Sequence, residues 1–133
     1  MPQKILITGA NGLLGQKLVA LILNHPEYEL IATARGENRN AAGKYVYEEL
    51  DITSKEHIDQ VLHRHQPDII INTAAMTHVD QCELNPEQCQ LLNVTAVQYL
   101  IEVSEQINAF FIHLSTDFIF DGTSGPYREE DEP

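Results

Sequence analysis

Three glycines at three-residue spacing, Gly9, Gly12 and Gly15, are the first residues whose arrangement suggests chemistry. They stand in Thr8-Gly-Ala-Asn-Gly-Leu-Leu-Gly15, directly after an apolar run and directly before a stretch with helical periodicity. Glycine there lets the chain turn sharply and lets a pyrophosphate come close to the backbone. The helix N-terminus adds free N–H groups and the positive end of its dipole. The last glycine lets helix and strand pack tightly. The spacing is G-x-x-G-x-x-G rather than G-x-G-x-x-G, and a tight turn without a ligand is the competing reading. Its place between a strand and a helix favours the phosphate.

Four more groups follow apolar runs. Thr33-Ala34-Arg35 carries no acid where an NAD-binding protein usually sets Asp or Glu against the ribose hydroxyls. Arg35 stands there instead, and its guanidinium suits a 2′-phosphate, which favours NADPH over NADH; an exposed loop arginine is the alternative. Asp51-Ile52 fits either an adenine edge or the capping of the next helix. Asn72-Thr-Ala-Ala-Met-Thr77 offers small side chains over which a flat ligand could lie. Ser115-Thr116-Asp117 places hydroxyls and a carboxylate where a substrate would meet nicotinamide.

These residues need elements to hold them. Lys4–Thr8, Glu29–Ala34, Tyr45–Leu50, Asp68–Asn72 and Ala109–Leu114 read as short strands, the third weaker than the rest. Helical spacing runs over Leu13–Asn24 and is stopped by His25-Pro26. Thr53-x-x-Glu56 has the form of a capping box opening a helix to about His65. Asn85-Pro86 opens a long helix to about Gln106. Strands alternating with helices, β-α-β-β-α-β-α-β, predict a doubly wound parallel α/β sheet of Rossmann type. Its ligands sit beyond the C-terminal strand ends.

The 133 residues suffice for one ordinary domain. The longest apolar runs fall well short of the roughly 18 residues of a membrane span. A net charge of −12 argues against nucleic acid and anionic membrane as partners. The acidity is uneven: residues 1–50 balance five acids with five bases, while residues 51–133 carry the whole excess. Cys82 and Cys89 form no disulfide framework and read as thiols, which suggests a reducing, cytoplasmic compartment. They are seven apart and remote from the histidines of the 55–65 helix, so no metal site is expected.

Five motifs in order, Thr8–Gly15, Leu50-Asp-Ile-Thr53, Asn72–Asp80, Asn93-Val-Thr95 and Ser115-Thr-Asp-Phe-Ile-Phe-Asp-Gly122, resemble the extended short-chain dehydrogenases/reductases. The branch they are most similar to is the dTDP-4-dehydrorhamnose reductases. The resemblance implies reduction of the 4-keto group of dTDP-4-dehydro-L-rhamnose to dTDP-L-rhamnose with NADPH or NADH. It implies that Gly9, Asn11, Gly12, Leu13, Leu14 and Gly15 hold the pyrophosphate, and that Asp51 and Ile52 border the adenine. Ala74, Ala75 and Thr77 would line the cofactor, and Asn93 would hold its strand or a water. Thr116 would hydrogen-bond the substrate carbonyl, with Asp117 and Phe118 beside the sugar; the family often has Tyr where Phe118 stands.

The same resemblance calls for a Tyr-x-x-x-Lys pair, in which Tyr donates the proton and Lys lowers its pKa. None of the five tyrosines, Tyr28, Tyr45, Tyr47, Tyr99 and Tyr127, has Lys four residues on. Residues 1–133 are therefore expected to be the dinucleotide-binding front of a longer reductase, inactive alone. Another nucleotide-sugar epimerase or dehydratase of the family is one alternative. A non-catalytic NADP-binding regulatory subunit, of the kind methionine adenosyltransferase has, is another. A homodimer is compatible with the sequence.

Overall fold

In a computed structural model the backbone of residues 1–133 and every side chain but that of Asp117 are described. The five expected strands form: β1 (Gln3–Thr8), β2 (Tyr28–Ala34), β3 (Val46–Glu49), β4 (Ile69–Asn72) and β5 (Phe110–His113). All neighbours pair in parallel, in the order β3-β2-β1-β4-β5. This is the doubly wound sheet read from the sequence. The order reverses between β1 and β4, where crossovers leave to opposite sides and a crevice opens at the strand ends.

Alternation along the strands divides the core into two layers. Ile5, Ile7, Leu30 and Ala32 face α1 (Leu13–Ile22) and meet Val19 and Ile22. Leu6, Ile31 and Ile70 face the other way, onto α2 (Lys55–His65) and α5 (Ala96–Gln106), and meet Ile58, Leu62, Leu100 and Val103. Each of the valine, leucine and isoleucine side chains among these contributes about 1.5–3 kcal/mol on leaving water. The α1 layer is thinner over β5, where Phe110 is 68% exposed and Ile112 36%.

Three expectations are corrected. The α2 cap is Ser54, whose hydroxyl accepts the His57 N–H at 3.3 Å; Thr53 is drawn away by Asp51. The helix expected in one piece over 85–106 is interrupted, and a short helix, α3 (Val79–Leu84), precedes it. Proline pushes the preceding residue out of helical backbone, so Asn85 (φ −133°, ψ 67°) separates α3 from α4 (Pro86–Gln90). A π-helical turn at Leu91–Thr95 then leads into α5. This bend corrects the cysteine reading as well. Residues seven apart on one straight helix would stand about 10 Å apart. The break brings the Cα atoms of Cys82 and Cys89 to 5.1 Å, and the two form a disulfide. Cysteine usage therefore carries no argument for a reducing compartment. Among the described residues no helix is long and apolar enough to cross a membrane.

Candidate functional site

The glycine run lies where the sheet order reverses. Gly9 takes φ +67°, and a Cβ on it would stand 2.7 Å from both Ala74 N and Thr73 Oγ1. A Cβ on Gly15 would stand 2.1 Å from the Gly9 carbonyl oxygen, so α1 packs directly on the loop. Gly12 is looser, with Gly9 O at 3.3 Å. It is the N-cap of α1 and has no side chain to cap with, and the first turn carries no acid. The N–H groups of Leu13, Leu14 and Gly15 have no carbonyl one turn back to receive them. Leu13 and Leu14 are exposed. The arrangement is a backbone cradle that side chains would fill, with an uncapped positive helix end above it, and it fits a phosphate.

Buried polar groups tie the strand ends beneath this cradle. The Thr8 hydroxyl donates to Asn72 Oδ1, and Asn72 Nδ2 meets His113 Nδ1 at 3.1 Å. Register sets Thr8 beside Asn72 and Asn72 beside His113, so this is one rung across β1, β4 and β5. Thr73 donates its hydroxyl to Thr8 O at 2.7 Å. The next loop is fixed from the π-helical turn. Asn93 Oδ1 accepts the Met76 N–H at 2.8 Å, and Asn93 Nδ2 donates to Met76 O at 2.9 Å. Asn93, expected to hold its strand or a water, clamps Met76 in the segment after β4, and Ala74, half-buried, with Ala75 and Thr77, exposed, lies along that segment.

On the other flank the connection between β2 and β3 folds over the glycine loop. Asn11 Nδ2 donates to Glu37 O at 2.8 Å, and its Oδ1 accepts the Arg39 N–H at 2.9 Å. Asn40 Nδ2 donates to Ala10 O at 3.0 Å. Arg35 is exposed at the end of β2. Asp51 Oδ1 accepts both the Thr53 hydroxyl (2.6 Å) and the Thr53 N–H (3.0 Å). Chiefly through the Thr53 hydroxyl, with a smaller contribution from the Arg35 charge and against partial burial, its carboxyl is held below the ordinary range. Asp51 thus shapes the entry to α2, in keeping with the capping reading. Ile52 is 3% exposed, in the core, so only its backbone is open to a ligand.

Beyond β5, Thr116 is exposed and its Oγ1 accepts the Phe118 N–H at 2.9 Å. That leaves the hydroxyl hydrogen free to be donated. Phe118 is 84% exposed in the 3₁₀ turn Asp117–Ile119; the Asp117 side chain lies outside the described ones. A cavity of about 810 Å³ lies at the opposite end of the sheet, lined by Pro2, Tyr28, Lys44 and Tyr45 among others. None of the expected site residues lines it. Sequence reasoning missed Asn40 and Glu49, whose Oε1 accepts the Gly36 N–H at 3.1 Å. Neither has a spacing signal, because each acts across the sheet or between loops.

Comparison with known proteins agrees with this geometry. The model of the family described as RmlD substrate binding domain matches residues 3–133. A dTDP-4-dehydrorhamnose reductase of Aggregatibacter actinomycetemcomitans is 40% identical over 129 residues, which are 96% of this chain and 40% of that protein. A crystal structure of a hypothetical dTDP-4-dehydrorhamnose reductase from Sulfolobus tokodaii superimposes with a TM-score of 0.85 at 36% identity, over 98% of this chain and 45% of that one. A dTDP-4-dehydrorhamnose reductase of Bacillus anthracis str. Ames, solved in complex with NADP, gives a TM-score of 0.74 at 29% identity, over 93% of this chain and 40% of that one. The chain thus spans about two-fifths of the curated relative's length. With the sheet order, the glycine cradle and the family match in agreement, the chain belongs to the RmlD substrate binding domain family, within the extended short-chain dehydrogenases/reductases.

Proposed function

We propose that residues 1–133 bind the nicotinamide dinucleotide of a sugar-nucleotide reductase. In the full-length protein the reaction is reduction of dTDP-4-dehydro-L-rhamnose to dTDP-L-rhamnose. The observation that carries the reading is the glycine cradle under an uncapped helix end at the point where strand order reverses. The 40% identity to a named reductase directs it to this substrate.

Gly9, Asn11, Gly12 and Gly15, with the backbone of Leu13 and Leu14, would receive the pyrophosphate. Arg35 would meet the 2′-phosphate of NADPH. Asp51 and the Ile52 backbone would border the adenine, and Ala74, Ala75 and Thr77 would lie along the nicotinamide half. When bound, the cofactor supplies a hydride to the keto carbon. Thr116 would donate its free hydroxyl hydrogen to the keto oxygen, where negative charge grows as the carbonyl is reduced. Asp117 and Phe118 would stand beside the sugar. None of the tyrosines present has the Lys partner that lowers a tyrosine's pKa for proton donation.

The test is NADPH oxidation followed by absorbance, with dTDP-4-dehydro-L-rhamnose as substrate. Full-length protein should turn over, and the 133-residue chain should not. Turnover by the short chain, or none by the full-length protein, would overturn the proposal.

A further inference from the structure

The acid that the sequence fails to place after β2 is supplied by the neighbouring strand. Register sets Glu49, the last residue of β3, beside Ala34, the last of β2. Its carboxylate accepts the N–H of Gly36, and two residues earlier on the same side of the strand the Tyr47 hydroxyl donates to the Gly36 carbonyl at 2.6 Å. Two β3 side chains thus fix the residue that follows Arg35. Glu49 is itself exposed, and beyond Gly36 and its two chain neighbours nothing lies within 4 Å of the point where a Cβ on Gly36 would stand. A carboxylate held on the Gly36 N–H and the exposed residue Arg35 therefore stand on either side of open space at Gly36 in the chain's turn after β2.

We propose that Glu49 is a specificity-determining residue for the cofactor: its carboxylate accepts the adenosine ribose hydroxyls and opposes a 2′-phosphate, against the pull of Arg35. This rests on the dinucleotide reading above. Two opposed charges at one position make the NADP/NAD preference a difference between them rather than the property of Arg35 alone. The neutral isostere separates charge from structure. Gln at 49 keeps an oxygen for the Gly36 N–H and loses only the negative charge.

The experiment is calorimetric titration of the protein with NADP⁺ and with NAD⁺, for wild type, Glu49→Gln and Arg35→Ala. Glu49→Gln should raise the ratio of NADP⁺ to NAD⁺ affinity about three- to tenfold, as expected for one partly exposed charge facing a phosphate. Arg35→Ala should lower it. An unchanged or lowered ratio in Glu49→Gln, with wild type binding normally, overturns the role of Glu49 and leaves the dinucleotide reading standing. Wild type binding neither nucleotide overturns that reading, and the assignment with it.

Discussion

At the scale of single residues, the site is held by side chains that do duty for backbone. Asn93 meets both the N–H and the carbonyl of Met76, and Asn11 meets an N–H and a carbonyl of the loop beyond β2. Asp51 accepts the N–H and the hydroxyl of Thr53 just before α2. Its lowered pKa has a consequence for stability. The folded chain releases this proton more readily than the unfolded one, so stability rises with pH through the window. The contribution is full above the ordinary value of 3.8 and is lost as pH falls through the lower folded value. In Thr53→Val the hydroxyl is gone and most of the depression with it. Urea unfolding between about pH 5 and about pH 2 should then show a shallower loss of stability on the acid side than in wild type. An equally steep acid limb in the variant would contradict the assignment. Asp51 at the helix entry was legible in the sequence, while the loop partners of Asn93 and Asn11 were not. An asparagine that clamps a loop carries no spacing that distinguishes it from a solvated one.

At the scale of elements, legibility followed burial. β1, β2 and β4 are short apolar runs bounded by glycine, proline or polar residues, and buried parallel strands need such runs. All five strands formed within two residues of expectation. The helix over 85–106 was foreseen as one piece, and its π-helical turn was not, because apolar periodicity does not register one widened turn. α3 escaped because it is six residues long and buries none of them, so it leaves no apolar stripe. The Asn85-Pro86 signal was present, but what it folds together was not: the separation of Cys82 and Cys89 depends on the angle at that break. The resulting cross-link is testable. Native, unreduced protein should give no thiol to a thiol-specific reagent and two after a dithiol reductant. Reduction should cost about 2 kcal/mol, given so short a closed loop. Two thiols without reduction would contradict the cross-link.

At the scale of the whole molecule, the doubly wound order decides where chemistry is possible, and the charge distribution agrees with it. The balanced first 50 residues contain the glycine cradle and Arg35, while the excess of acid lies in residues 51–133. A helix dipole and one arginine can therefore receive phosphates despite a net charge of −12. The alternation of strands and helices made this architecture readable. The acid at the end of β3 was unreadable, since its proximity to β2 is a matter of register rather than of sequence. The N-terminus of α1 is the phosphate site in this reading, and Gly12→Asp probes it. Aspartate is a good N-cap in the extended backbone that Gly12 adopts (φ −76°, ψ 173°), and its Cβ, 3.3 Å from the Gly9 carbonyl oxygen, asks only a small adjustment there, so the fold should be retained. The new carboxylate would stand where the phosphate binds. Titration with NADP⁺ should give one saturable site in wild type and at least about tenfold weaker binding in the variant, with urea stability retained. Equal binding by the two proteins, or none by wild type, would show that the N-terminus of α1 does not hold the phosphate.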